Sequence, residues 1–255
     1  MRRNLSSVFG LAIVAFMLAP LLLVVLFSFG ESLVMTFPIT GLTLDWYRAL
    51  LARDDFRGAL ANSLIVTGSV GLGATAIGTL AAMVIARLRP ARSAAAIFLF
   101  GLPMMMPPLV LALAILSLFA AAGVKLSLLT VILAHLTFTM PFVILIVAAR
   151  LRDFNPAMVD SARDLGAGPW TVFRTVTFPI IRPTLFGAAL IAMSLSLDDF
   201  VITFFLIGGG NTLPTLVWGM LRTGIDPSIN ALGTLILTFT VGAAALALWL
   251  TRQRA

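Results

Sequence analysis

Apolar residues in this chain do not alternate with polar ones; they run together in long blocks. Six blocks stand out, at approximately 8–29, 61–86, 94–121, 128–149, 185–207 and 229–250. Each is long enough to cross the hydrocarbon core of a bilayer, which takes about 20 helical residues. A segment in lipid must satisfy its own backbone hydrogen bonds, so each block predicts a helix. Unbroken runs of this length do not fit the alternating pattern of a membrane β-barrel. The predicted fold class is all-α: a polytopic membrane protein with six transmembrane helices. It reads as one membrane domain over 1–255, with a peripheral first helix at 8–29, core helices over about 61–250 and a cytoplasmic loop at 150–183. The first block follows Arg2 and Arg3, as a signal peptide would. Its apolar part is too long for a usual signal core and no convincing small-residue cleavage site follows, so we read it as an uncleaved helix.

Composition narrows the class further. Of 255 residues, 60% are hydrophobic and 11% charged, with a mean hydropathy of +1.10. A soluble domain carries roughly 25% charged residues. So few charges cannot cover a globular surface in water, which excludes a soluble enzyme, a nucleic-acid module and a disordered chain. The net charge of +7 does not point to nucleic acid, because the 17 basic residues form no dense run. The absence of cysteine excludes disulfides, thiolate metal sites and thiol catalysis. One histidine, His135, excludes a multi-histidine metal site within the chain, and we assign neither metal ligands nor catalytic residues.

Loop charges set the orientation. Twelve basic residues (Arg2, Arg3, Arg87, Arg89, Arg92, Arg150, Arg152, Arg163, Arg174, Arg182, Arg252 and Arg254) fall on one side of the predicted spans, with only three acids. The other side has five basic residues and five acids. The arginine-rich side is cytoplasmic, which places both termini inside.

Local chemistry adds detail. Gly68, Gly71, Ala74, Thr75 and Gly78 in the second block are small residues that let helices approach closely. Pro103, Pro107 and Pro108 remove backbone donors from the third block, which should be kinked or broken there. That break is either a bend for packing or part of a pathway lining. Residues 44–60 predict a short amphipathic helix on the outer surface, with Trp46 and Tyr47 at the interface.

The loop at 150–183 is the longest polar stretch on the inside. Asn155 can cap a helix that has Pro156 at its first position, and Gly166 is a natural stop. Between them Ala157, Ser161, Ala162 and Leu165 share one shallow face. Gly168-Pro169 begins a second short helix bearing Trp170, Val172, Phe173 and Val176, which Pro179 should end. Two such helices expose more apolar surface than water favours, the mark of a docking element. The alternative is an amphipathic helix lying on the membrane.

Here the sequence resembles a known family. Asp160-Ser161-Ala162-x-x-x-Gly166, followed after nine residues by Val176-x-Phe178-Pro179, is similar to the Glu-Ala-Ala…Gly…Ile-x-Leu-Pro loop of ABC-importer permeases. Asp stands for Glu, Ser for the first Ala, Val for Ile and Phe for Leu; the spacing is intact. Three further segments, 162–167, 196–199 and 225–232, resemble the second permease of spermidine/putrescine importers. The resemblance implies a type I ABC-importer permease fold in a bacterial inner membrane. It implies that the loop couples to a cytoplasmic ABC ATPase dimer through Asp160, Ser161, Ala162, Arg163, Leu165, Gly166 and Pro179. It also implies a homologous second permease and an external substrate-binding protein, alongside membrane lipid. Related permeases carry other small amines, opines or aminophosphonates. No phosphate-binding loop exists in the chain, and Lys125 is its only lysine. ATP and magnesium therefore belong to the partner ATPase, and this chain has no cofactor of its own.

Asp198 and Asp199 are adjacent acids inside the fifth block, costly in lipid unless partnered. From Leu185, Asp198 lies roughly 20 Å along a helix at 1.5 Å per residue, beyond the midplane. An acidic site there suits a cationic substrate. Neighbouring side chains point about 100° apart, so one acid lines the pathway while the other is held by backbone donors or a polar neighbour. The competing reading is that Asp198 caps a half-helix where the span breaks. His135 reads as a hydrogen-bonded packing residue, and Asp226-Pro227 as a helix start. A proton-coupled secondary transporter using the aspartates would show an internal repeat, and none is present. An aspartyl protease would need converging carboxylates, which adjacent residues on one helix do not supply.

Overall fold

The computed structural model describes residues 2–33, 36–39, 41–224 and 226–252, with side chains described only between 9 and 242. Arg2, Arg3, Arg252 and Arg254, four of the basic residues used for orientation, fall outside the described side chains, and Ile225 is likewise outside. The elements in chain order are α1 (Arg2–Ser28), α2 (Asp45–Ala52), α3 (Asp54–Ile85), α4 (Pro90–Met105), α5 (Pro108–Ala121), α6 (Leu128–Arg152), α7 (Ala157–Asp164), α8 (Pro169–Val172), a π-helical turn (Phe173–Thr177), α9 (Phe178–Asp198), α10 (Val201–Leu206), α11 (Leu213–Thr223) and α12 (Ser228–Arg252). No strand occurs among the described residues beyond an isolated bridge between Gly30 and Leu42. The all-α expectation holds.

The chain divides into two compact units, one of residues 1–57 with 216–255 and one of residues 58–215. In the first, α1 packs along α12, and Val24 lies so near Gly233 that a Cβ there would stand 3.2 Å from it. Over its described side chains, from Phe9 onward, α1 is otherwise mostly bare, with Phe9, Leu11, Phe16 and Met17 exposed, as suits a helix facing lipid. Trp46 and Tyr47, expected at the interface, also make polar contacts to the end of α1. The Trp46 indole donates to the Gly30 carbonyl at 2.7 Å, and the Tyr47 hydroxyl lies 2.6 Å from Ser28 Oγ. Both polar tips satisfy groups at the end of α1 while their rings stay half-buried. The amphipathic stretch is also shorter than 44–60, because α3 already begins at Asp54.

In the second unit α3, α6 and α9 pack through small residues. Ala74, Ala82, Val143, Val147, Ala148, Ala188 and Ala192 form one buried cluster. Gly71 lies against Met193, and a Cβ on Gly78 would stand 2.9 Å from Val143, so these two glycines set the interhelical approach. Gly68 meets nothing within 4 Å and plays no such part. A second cluster joins α3, α5, α6 and α10 through Val66, Leu111, Val131, Ala134, Ile202 and Leu206.

The prolines act where the sequence places them, with one exception. The third block is a pair of helices, α4 and α5, meeting at 97° across Met106 and Pro107. Among the described residues, four unbroken helical segments are long and apolar enough to cross a membrane, and the bent pair makes up to five. The sixth block lies in α12, whose backbone is helical to Arg252. The exception is Pro179, which does not end a helix. The chain runs as one 30-residue apolar segment from Pro169 to Asp198. The π-turn explains this: the Phe178 N–H bonds to the Phe173 carbonyl, five residues back, so the ladder is already out of register when Pro179 supplies no donor.

Candidate functional site

The cytoplasmic loop folds as its residues dictate. Asn155 Oδ1 accepts the Ala157 N–H at 3.0 Å, which starts α7. At the other end Gly166 takes φ +83°, the Gly166 N–H bonds to the Arg163 carbonyl at 2.8 Å, and the Ala167 N–H reaches the Ala162 carbonyl at 3.1 Å. This is a Schellman stop, and the positive φ is why glycine stands there. Asp160 and Arg163 face each other at 3.9 Å with both side chains half exposed, a surface pair that adds little stability. Ser161 Oγ donates to the Ala157 carbonyl at 2.9 Å, so its hydroxyl is used within the helix.

No residue of α7 is buried. Ala162 is half-buried, whereas Leu165 is 89% exposed and Trp170 70% exposed. Trp170 is held by stacking on Phe173, ring centroids 5.6 Å apart. Behind this face lies a cleft of about 560 Å³, lined among others by Arg87, Arg152, Phe154, Asp160 and Arg163. Arg152 donates to Ser93 Oγ at 2.6 Å, and Ser93 Oγ to the Ile85 carbonyl at 3.0 Å, which ties α6 to the ends of α3 and α4. Of the residues expected to couple, Asp160 to Gly166 lie on α7 and its stop, while Pro179 sits at the start of α9.

The aspartates lie at a break in the helix rather than inside a continuous one. Asp198 is the last residue of α9, and α10 begins at Val201. Asp199 Oδ2 accepts the Thr203 N–H at 2.9 Å, capping α10. The same oxygen lies 3.2 Å from His135 Nε2 and 3.3 Å from Thr203 Oγ1. His135 Nε2 is also 3.0 Å from Thr203 Oγ1, and Nδ1 is 2.8 Å from Ser196 Oγ. His135, Ser196 and Thr203 are buried. The cap thus falls to Asp199, and Asp198 remains exposed. His135 is the packing residue expected, but its link to Asp199 was missed. The available signal was Ser196, Asp199 and Thr203 at i, i+3 and i+7, one helical face opposite the only membrane histidine.

Residues 74–254 match the model of the binding-protein-dependent transport system inner membrane component family. The chain belongs to this family. Curated relatives agree: it is 37% identical to the putrescine transport system permease protein PotI of Escherichia coli K12, over 94% of this chain and 88% of that one. It is 31% identical to the spermidine/putrescine transport system permease protein PotC of the same strain, over 94% and 90%. Among solved structures it superimposes on a bacterial ABC transporter involved in alginate import, TM-score 0.77 at 18% identity, covering 99% of this chain and 96% of that one. An inward-facing methionine transporter, MetNI, gives a TM-score of 0.65 at 18% identity, covering 84% and 100%. The fold is that of ABC-importer permeases, and the family member described here is an inner-membrane transport component without catalysis of its own.

Proposed function

We propose that this permease forms half of the pathway of an ATP-driven importer for putrescine or spermidine. The observation that carries the cargo is the 37% identity to a putrescine permease across nearly the whole chain. Polyamines are cations, and the aspartate pair supplies negative charge at a helix break, where Asp198 and Asp199 serve the substrate pathway. On this reading the chain is one transmembrane domain of six crossings with both termini in the cytoplasm. An ABC ATPase dimer, carrying ATP and magnesium, grips the loop around α7 through Asp160, Ser161, Ala162, Arg163, Leu165, Gly166 and the Pro179 turn. A homologous second permease supplies the other half of the pathway, and an external binding protein delivers the amine. The exposed Leu165, at the end of α7, and Trp170, on α8, support the docking, because apolar side chains left in water gain by burial against a partner.

Liposomes holding the complete complex test both parts. With ATP and magnesium inside and loaded binding protein outside, radiolabelled putrescine is expected to accumulate, and removal of either ATP or magnesium should return uptake to background. A complex that imports another solute but no amine contradicts the cargo. Amine uptake that persists without the ATPase, driven by a proton gradient, contradicts the mechanism.

A further inference from the structure

Asp198 and Asp199 are adjacent in the chain, yet the break after α9 gives them different surroundings. Asp199 is nearly enclosed, its side chain 10% exposed. Its Oδ2 is engaged by a backbone N–H, a threonine hydroxyl and an imidazole. His135 itself is 1% exposed and has a partner at each nitrogen. A carboxylate oxygen only accepts, so Nε2–H points to Asp199 and Thr203, and in the neutral ring Nδ1 accepts the Ser196 hydroxyl proton. The ring thereby ties α6 to the last turn of α9 and the first turn of α10. Asp198 stands apart from this network. It makes no hydrogen bond or ion pair with the described residues, and it shares an exposed face of α9 with Ser194, four residues earlier. The opposite face, carrying Ala188, Ala192 and Ser196, is buried.

We infer that His135 is a positioning residue that divides the pair: it holds Asp199 as the brace of the α9–α10 break and leaves Asp198, beside Ser194, as the carboxylate that meets the cation. The inference rests on the amine-importer reading above. A transport carboxylate must be available to bind and must keep its place when the cation leaves. Asp199, nearly enclosed and with three donors already on Oδ2, meets the second need better than the first. The brace separates the two demands, because the buried hydrogen bonds fix the backbone from which Asp198 projects. Truncating His135 removes a partner from a buried carboxylate and two buried hydroxyls, which disturbs the aim of Asp198 as well as the local fold.

The test uses the full complex in liposomes with saturating loaded binding protein, and reads putrescine imported per ATP hydrolysed together with the thermal midpoint. Asp198→Asn is expected to lower that ratio about tenfold or more while leaving the midpoint near that of the unaltered complex. His135→Ala should lower both the ratio and the midpoint, and His135→Gln, which keeps a donor, should recover most of the ratio. The double variant decides: once Asp198 is neutral, His135→Ala should lower the ratio no further. If His135→Ala does not assemble, Ser196→Ala, which removes the one hydrogen bond at Nδ1, and Thr203→Val, which removes the hydroxyl's bonds to both His135 and Asp199, complete the same cycle. Effects that multiply in the double variant overturn the inference. So does a His135 variant with less assembled complex but an unaltered ratio, the signature of a purely structural role. An active complex that imports no amine overturns the cargo reading and, with it, the role given to Asp198.

Discussion

Replacing Gly208 by alanine is expected to destabilise the permease more than any other single methyl addition at its glycines. Gly208 follows α10 at φ +71°, and an added Cβ would run into the Leu126 carbonyl oxygen, with the carbonyl carbon at 2.7 Å. That neighbour is backbone and cannot turn aside as a side chain would. Nearby, Thr130 Oγ1 donates to the Leu206 carbonyl at 2.8 Å, and Leu206 and Ile207 lie in the same cluster as Val131, so the loop cannot slide without loosening the core. A left-handed conformation costs a non-glycine residue about 1 kcal/mol, and forced overlap in a packed region typically adds 1–3 kcal/mol. The total, roughly 3 kcal/mol, corresponds to a fall in thermal midpoint on the order of 6–12 °C. The next two residues provide internal controls. Gly210→Ala meets only Asn62 Nδ2 at 3.5 Å and bears only the cost of its φ of +77°, about 1 kcal/mol. Gly209→Ala, with nothing within 4 Å, should leave the midpoint unchanged. Melting curves of the purified permease in detergent should therefore rank position 208 well below 210, and 210 below 209. Equal midpoints for all three would mean that α10 does not end against Leu126 as described.

The second large effect concerns transport rather than stability. Leu165→Glu alters a side chain that is 89% exposed, so the permease itself should melt within about a degree of the unaltered chain. If the ATPase encloses this position, the substitution buries an unpaired carboxylate, at a cost of several kcal/mol. ATP-driven uptake should then fall at least tenfold, through loss of the ATPase from the complex or loss of coupling. Leu165→Met, which keeps an apolar side chain of similar volume, should retain most of the uptake. Full transport by Leu165→Glu would remove this residue from the docking surface. A large drop in melting temperature would mean that Leu165 serves the permease fold instead.

How much of this was legible in the sequence depended on how local the deciding interaction is. Asn155 and Gly166 mark α7 because a cap and a positive-φ stop involve only a few consecutive residues. The proline cluster at 103, 107 and 108 foretold a break for the same reason, though not its 97° angle, which follows from packing on α6 and α10. Pro179 misled because the rule that proline stops a helix assumes an i−4 ladder, and the π-turn had shifted the ladder first. The start of the fifth block at Leu185 was too late for a related reason: Arg182 and Pro183 read as loop residues, yet α9 runs through both. The Asp199 brace depends on His135, 64 residues away; the spacing of Ser196, Asp199 and Thr203 marks one polar face but not the side chain that meets it. The exposed apolar surface of the loop was legible for the same local reason as its caps: Leu165 and Trp170 lie in the longest polar stretch of the inside, and both stand exposed.

The claim on which the rest depends is that a separate ATPase moves this permease by holding the loop around α7. The chain has no cysteine, so Leu165→Cys offers a single attachment point within it for a short photo-crosslinker. In membranes holding the complete, transport-active complex, illumination is predicted to join this chain to the ATPase subunit, with a yield that changes between ATP-bound and nucleotide-free states. Adducts with lipid alone, in a preparation that still imports its cargo at the expense of ATP, would contradict the account.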